Sequence, residues 1–151
     1  MKTVLFACLI LLFTACRNST KDPVPKDADL NNITWKQYDD WCGNHNVISD
    51  RNFVKVSGKT IRWTGKIYKI TPDRSVKKSR EFTGKIIKVK MKGSKSLMSD
   101  ITLRVPKEIK GQMDVLREKD TIQFEGTLSH LGGLGDHVIA ITSVKKVRPG
   151  K

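Results

Sequence analysis

The sequence contains few of the residues from which metal and catalytic sites are commonly built. It has only three cysteines and three histidines among 151 residues, which are too few and too scattered for a zinc framework. Acidic residues are also scarce, since 15 Asp and Glu stand against 29 Lys and Arg and the formal net charge is +14. This balance excludes an acidic, calcium-buffering type of protein and predicts an anionic partner or surface.

Long hydrophobic runs are absent beyond the N-terminus, so the sequence predicts no transmembrane span. The one apolar run, Val4 to Phe13, follows a single lysine and ends in small residues. It is too short to span a membrane and is typical of a signal peptide, which we place at residues 1–16. We therefore predict export to the secretory lumen or the extracellular space, or alternatively a lipid-anchored location in the cell envelope.

Two processing routes are open for this segment. The residues that lead to Cys16 resemble a bacterial lipobox, in which Cys16 would be acylated, although Phe13 replaces the usual aliphatic residue. Ordinary signal cleavage near Cys16 is the alternative. Asn18 and Asn32 each begin an Asn-X-Ser/Thr sequon, which only a eukaryotic secretory pathway would glycosylate. Both routes lead out of the cytosol.

The rest of the chain divides into a tether, one domain and a tail. Residues 17–33 are polar and contain two prolines, which predicts a flexible tether. The domain is predicted to cover residues 34–147, and residues 148–151 form the tail. A capping-box pattern at the start of the domain, with aromatic residues at helical spacing, predicts an N-terminal helix over residues 34–43.

From Phe53 onward the hydrophobic pattern has a period of two, which predicts strands. The predicted strands and helix follow in chain order: Ile61–Ile67, Ile87–Met91, Ile101–Val105, a helix that opens at Pro106, Ile122–Leu128 and Val138–Val144. Three strands, a helix and two strands is the order of the OB-fold. The predicted class is therefore all-β, a five-stranded OB-fold Greek-key barrel with a helix between strands 3 and 4 and an N-terminal capping helix. An SH3-like barrel and a small sandwich are the alternatives.

An ordered set of features runs through the predicted domain. In chain order they are a helix with Trp35, Tyr38 and Cys42, the segment Ile61–Gly65, the segment Ser99–Arg104, an amphipathic helix to Leu116, the segment Ile122–Phe124 and the loop Leu128–Gly135. In this order the chain resembles the C-terminal, lumen-facing OB-fold domain of the wolframin family, as a stand-alone, secreted-type relative.

The resemblance implies a non-enzymatic interaction module that docks a protein partner, because the roles of the wolframin family are calcium balance, stress response and handling of secretory cargo. This chain departs from the family in two ways. A signal peptide replaces the membrane spans of wolframin. Where the family carries cysteines near the end of the last strand, this chain has Ser143 and Lys146, so no disulfide from Cys42 to that strand is expected.

Basic residues recur on one side of the predicted barrel. If Ile87 and Val89 point inward, the lysines that alternate with them point outward together. Strands 2 and 3 are the usual ligand face of an OB-fold. The predicted binding face consists of Arg62, Lys66, Lys88, Lys90, Lys92, Thr102 and Arg104. The alternative is that these lysines form an ordinary solvent face that discourages edge-to-edge association.

No arrangement of residues predicts catalysis, a cofactor or a metal ion. Asp136 and His137 are adjacent in the sequence, so their side chains on a strand would point to opposite faces. The expected partner is a protein with an acidic surface, and a polyanion such as anionic lipid, sulfated glycan or nucleic acid is the alternative. Export and the scarcity of stacking aromatics, of which Tyr68 is the main one, argue against nucleic acid.

Overall fold

The computed structural model describes residues 23–43, 47–72, 82–94, 97–131 and 137–147. Its strands are β1 (Thr60–Pro72), β2 (Phe82–Met91), β3 (Ile101–Pro106), β4 (Thr121–His130) and β5 (His137–Lys146). Its helices are α1 (Trp35–Cys42), α2 (Val47–Val56) and α3 (Lys110–Met113), the last preceded by a 3₁₀ turn (Lys107–Ile109).

The five strands close into a barrel in the order β1-β2-β3-β5-β4. Neighbouring strands are antiparallel except for β3 and β5, which run parallel. With α3 between β3 and β4, this connectivity is that of the OB-fold. The predicted fold class is thereby confirmed, including the helix after the third strand and the N-terminal helix.

Strand β1 is shared by two partners, and a bulge marks the place where it changes between them. Its first half, Thr60–Lys66, pairs with β4, and its second half, Gly65–Pro72, pairs with β2. The register with β2 shifts between Ile67 and Lys69, so Tyr68 is the extra residue of a β-bulge. After the bulge, each side chain of β1 lies on the face opposite to the one that simple alternation would predict.

The barrel interior is filled by aliphatic and aromatic side chains that alternate with outward-facing polar ones. In β5, however, the inward residues are Ile139, Ile141 and Val144, which do not follow a strict period of two. The register with β4 shifts at this point, since Ser143 pairs with Glu125 but Ile141 pairs with Gly126. A bulge in β5 therefore brings Val144 into the core, which simple alternation along this strand cannot specify.

Helix α1 covers one end of the barrel. The Thr34 hydroxyl accepts from the Gln37 backbone N–H at 3.3 Å, and the Gln37 side chain accepts from the Thr34 backbone N–H at 2.9 Å. The predicted capping box is thus present. The helix buries Tyr38, Trp41 and Cys42 against the barrel. At the opposite end, α3 packs on β5, where the Gln112 side chain accepts from the Val144 backbone N–H at 2.9 Å.

Part of the predicted tether packs on the domain instead of extending from it. Val24 and Ile33 are buried in the core, and the Trp63 indole N–H donates to the Ile33 carbonyl at 2.7 Å. The prediction of a flexible tether over residues 17–33 is therefore wrong for residues 23–33, because two isolated apolar side chains suffice to anchor a segment of polar average composition.

Helix α2 was not predicted from the sequence. Its Asn52 side chain accepts from the Val24 backbone N–H at 3.2 Å and donates to the Trp41 carbonyl at 2.9 Å. Asn52 thereby joins α1, α2 and the N-terminal segment. Val54, on the same helix, is exposed, which blurs the helical periodicity that would have indicated this element. No helix within the described ranges combines the length and apolar character needed to cross a bilayer.

Candidate anion-binding face of the barrel

Four lysines form a compact group on the outer surface of β1 and β2. Lys66 lies directly opposite Lys90, and Lys69 lies directly opposite Lys88. Directly opposite residues of an antiparallel pair have their Cβ atoms about 5 Å apart. We call these four residues, Lys66, Lys69, Lys88 and Lys90, the lysine face.

Alternation along β2 and the bulge in β1 together produce this face. Ile87 and Val89 are buried in the core, so the lysines that alternate with them point outward. On β1, Lys66 points outward, and strict alternation would turn Lys69 toward the core. The extra residue Tyr68 reverses the alternation and places Lys69 outward beside Lys88. Sequence reasoning missed Lys69 for this reason.

The charges of the lysine face repel one another. Like charges directly opposite on neighbouring strands destabilise a sheet, and Lys66 with Lys90 is such a pair. None of the described acidic side chains forms an ion pair with Lys66, Lys69 or Lys90. The arrangement produces a local positive potential that an anion would relieve.

Two further residues of the predicted binding face add positive charge to the lysine face. Lys92 is exposed in the turn that follows β2. Arg104 is half-buried on β3, where it lies opposite Ile86 of β2. Together with the lysine face they form a basic surface across β1, β2 and β3, which is the surface that OB-folds commonly use for ligands.

Thr102 does not belong to the accessible surface. It lies between Lys88 of β2 and Val138 of β5, and it is only 8% exposed. The prediction that Thr102 contributes to the binding face is therefore wrong. The physical reason is that β3 is flanked on both sides by other strands, whose longer side chains cover a short threonine.

Arg62 is also separate from the lysine face. Its Nε and Nη2 atoms donate to Glu125 Oε2 at 2.9 and 2.7 Å. It lies four residues before Lys66, at a position of β1 that pairs with Glu125 of β4. The structure therefore places Arg62 in a cross-strand ion pair on the β4 side of β1, and its part in the binding face stays a prediction.

Among the described residues, three exposed large side chains of aromatic or apolar type adjoin the basic surface. Tyr68 is partly exposed at the bulge between Lys66 and Lys69. Leu97 and Met98 are exposed in the connection from β2 to β3, which begins after Lys92. An aromatic ring and an apolar pair thus adjoin the cationic surface, within the part of the chain that the structure describes.

The other residues that the sequence singled out have different positions. Cys16, Asn18 and Asp136 lie outside the described residues. Asn32 is exposed, as a modification site must be. His137 is buried and its Nδ1 lies 2.8 Å from the Tyr38 hydroxyl. It is therefore part of the contact between α1 and β5, where burial raises the pKa of Tyr38 above its ordinary value.

Metal-binding side chains do not cluster in the described segments, where no group of three or more His, Cys, Asp and Glu residues could hold an ion. Cys42 is a buried thiol that forms no disulfide with another described residue. Burial favours the interpretation of Cys42 as a small hydrophobic residue of the α1 interface.

Comparison with known proteins does not assign the chain to a family. No protein-family model matches the chain, and no curated protein matches it. A solved structure that matches is the asparaginyl-tRNA synthetase of Entamoeba histolytica in complex with asparaginyl-adenylate, with 14% sequence identity and a TM-score of 0.40. The match covers 63% of this chain and 22% of the synthetase. A likeness of this extent says nothing about what the present chain binds.

Proposed function

We propose that this protein is a non-enzymatic binding module that docks an anionic partner through the lysine face. The observation that carries the proposal is the register of β1 and β2, which places Lys66 opposite Lys90 and Lys69 opposite Lys88. A like-charged pair such as Lys66 and Lys90 costs stability in the free protein. A bound anion would convert that repulsion into attraction, so the same four residues would contribute to affinity and to salt dependence.

A protein with an acidic surface is the partner that the wolframin resemblance favours. In that proposal the chain is an exported domain of wolframin type, and its partner belongs to the secretory lumen or the extracellular space. No cofactor takes part. The excess of positive charge over the whole chain would attract such a partner before contact and raise its rate of association.

The test is retention on immobilised poly-glutamate and on heparin, which present carboxylates and sulfates respectively. The informative variant is Lys66→Glu with Lys90→Glu. Because it replaces one like-charged pair by another, the cross-strand repulsion is kept while the sign of the potential is reversed. We expect this variant to elute from both columns at much lower salt than the unmodified chain.

The matched control is Lys26→Glu with Lys55→Glu. These two lysines are exposed on the N-terminal segment and on α2, outside β1 and β2, and their reversal changes the net charge by the same amount. The control should elute close to the unmodified chain. Equal losses in the two double variants would show that retention follows net charge alone, which would contradict a binding face on β1 and β2.

A further inference from the structure

The connection between β2 and β3 presents two adjacent apolar side chains to solvent. Leu97 is 92% exposed and Met98 is 61% exposed. Isolated apolar residues are common on protein surfaces and need no explanation. Here, however, two neighbouring residues protrude from one loop, while Ser99 and Asp100, which follow directly, are buried and begin the return into β3. Leu97 and Met98 are thus the exposed large apolar side chains among the described residues of this loop.

This apolar pair continues the row of lysines on β2. Lys88, Lys90 and Lys92 alternate along the strand toward the loop that carries Leu97 and Met98. From Lys88 to Lys92 the row is roughly 13 Å long, at the usual rise per strand residue. Lys92 is the lysine of this row that is nearest in sequence to Leu97 and Met98. A lysine attracts an anionic surface that lies within about one Debye length, about 8 Å at physiological ionic strength.

The combination matches the interface of an anionic bilayer. Apolar side chains at such an interface enter the boundary between headgroups and acyl chains, while lysines stay at the level of the phosphates. Lysine has a flexible stem that accommodates this arrangement. Leu and Met lack a polar group that would fix their orientation, whereas protein interfaces draw most of their binding energy from Trp, Tyr and Arg.

We propose that the protein docks on anionic phospholipid surfaces, with Leu97 and Met98 inserted and the lysine face together with Lys92 against the headgroups. This inference rests on the proposed function, since it names the anionic partner of the same basic surface. It gives the loop a role that an acidic protein partner would not require. Anionic lipid provides negative charge and an apolar layer in one surface, and both are matched by adjacent parts of this chain.

The test is co-sedimentation with vesicles of phosphatidylcholine and phosphatidylglycerol, compared with vesicles of phosphatidylcholine alone. The chain is used from Arg17, because the apolar run at residues 4–13 would bind vesicles by itself, and every described residue is kept. The variants are Leu97→Ser with Met98→Ser, and Lys66→Glu with Lys90→Glu. Thermal unfolding of each variant establishes that it is folded.

The control for the loop variant is Val54→Ser with Val115→Ser. These residues are 77% and 66% exposed and lie on α2 and after α3, outside the connection between β2 and β3. We expect the unmodified chain and this control to bind the anionic vesicles and to bind the neutral ones far less. The loop variant should lose roughly tenfold in vesicle affinity, and the lysine variant should lose about fivefold for each lysine removed.

The outcomes separate this inference from the proposed function. If the loop variant loses vesicle binding but keeps its retention on poly-glutamate, the inference is supported. If the loop and control variants bind vesicles equally, insertion of the loop is refuted. Retention on poly-glutamate without any binding to anionic vesicles would overturn the inference alone and leave the proposed function standing. Loss of both kinds of binding from the unmodified chain would overturn the proposed function as well.

Discussion

The contact between Tyr38 and His137 shows how a single polar pair fixes the N-terminal helix on the barrel. The Tyr38 hydroxyl lies 2.8 Å from His137 Nδ1, and the two rings meet edge to face with their centroids 4.8 Å apart. Both side chains are fully buried. A buried polar atom that loses its partner incurs its desolvation cost without compensation, so the pair ties the position of α1 to the start of β5.

Replacement of Tyr38 by Phe tests this contact. The variant keeps the ring and removes only the hydroxyl, so His137 Nδ1 loses this partner. We expect a loss of about 1–3 kcal/mol in the free energy of unfolding, measured by urea denaturation. Tyr68→Phe is the matched control, because Tyr68 is the other tyrosine of the chain and is partly exposed. Equal effects of the two substitutions would contradict a specific role for the buried hydroxyl.

Two glycines differ sharply in the space around them. A Cβ atom at Gly126 would lie 2.5 Å from the Ala140 carbonyl oxygen and 2.7 Å from Ile141 Cα. Both obstacles are backbone atoms of β5, which cannot rotate away. A Cβ atom at Gly111 would meet nothing within 4 Å. The first glycine therefore permits the close approach of β4 and β5, whereas the second only weakens α3.

We expect Gly126→Ala to destabilise the barrel by about 1–3 kcal/mol, as overpacking generally does. Gly111→Ala should leave the stability unchanged or raise it by about 0.5–1 kcal/mol, because alanine is the better helix former. Parallel thermal or urea unfolding of the two variants provides the comparison. A Gly126→Ala protein as stable as the Gly111→Ala protein would show that β4 and β5 can separate without cost.

At the scale of elements, the β1–β2 pair carries a conflict between stability and the proposed binding. Lys90 faces Lys66 across the two strands. Lys90→Glu would convert this repulsive pair into an attractive one. We therefore expect the variant to gain up to about 1 kcal/mol in stability at low salt and to lose affinity for poly-glutamate.

Lys90→Arg is the control for that substitution, since it keeps the positive charge and should gain nothing. Added salt should raise the melting temperature of the unmodified chain toward that of Lys90→Glu, because salt screens the repulsion. If Lys90→Glu is less stable than the unmodified chain at low salt, the side chains of Lys66 and Lys90 do not interact as their register indicates.

The helices and strands also show which structural features could be predicted from the sequence and which could not. Alternating hydrophobicity located the first four strands, because each of them buries one face. A nearly continuous run of β-branched residues located β5, and Pro106 with apolar residues at helical spacing located the helix after β3. The bulge at Tyr68 could not be foreseen, since its effect depends on the change of partner from β4 to β2. The sequence consequently predicted Lys66, Lys88 and Lys90 but missed Lys69. The burial of Thr102 and the ion pair of Arg62 depend on neighbours distant in the sequence, which local pattern does not specify.

At the scale of the whole molecule, an ion pair links the last turn before β4 to the end of β5. Lys146 Nζ lies 2.7 Å from Asp120 Oδ1, and the Arg117 backbone N–H donates to Asp120 Oδ2 at 2.9 Å. The bond to Lys146 and the one from Arg117 lower the pKa of the Asp120 carboxyl below its ordinary value. The folded state therefore favours the ionised form of Asp120.

The lowered pKa of Asp120 makes the stability of the protein depend on pH. The pKa of Asp120 is lower in the folded than in the unfolded chain. Ionised Asp120 therefore stabilises the folded state at pH values above the unfolded pKa, about 4, and this stabilisation is lost as the pH falls below that value. Asp120→Asn should be less stable than the unmodified chain at neutral pH, and the difference should shrink below about pH 4. Urea unfolding across this range would measure it, and a difference that does not change with pH would contradict the prediction.

The sharing of β1 between two partners has a consequence for how the chain reaches its native state. Its pairing with β2 is a hairpin between consecutive strands, but its pairing with β4 joins positions such as Arg62 and Glu125, which are 63 residues apart. The chain must lose the loop-closure entropy of that second pairing before most of the core can form. The high contact order that follows predicts folding on the millisecond-to-second timescale of all-β domains, with closure of β4 onto β1 as the late step.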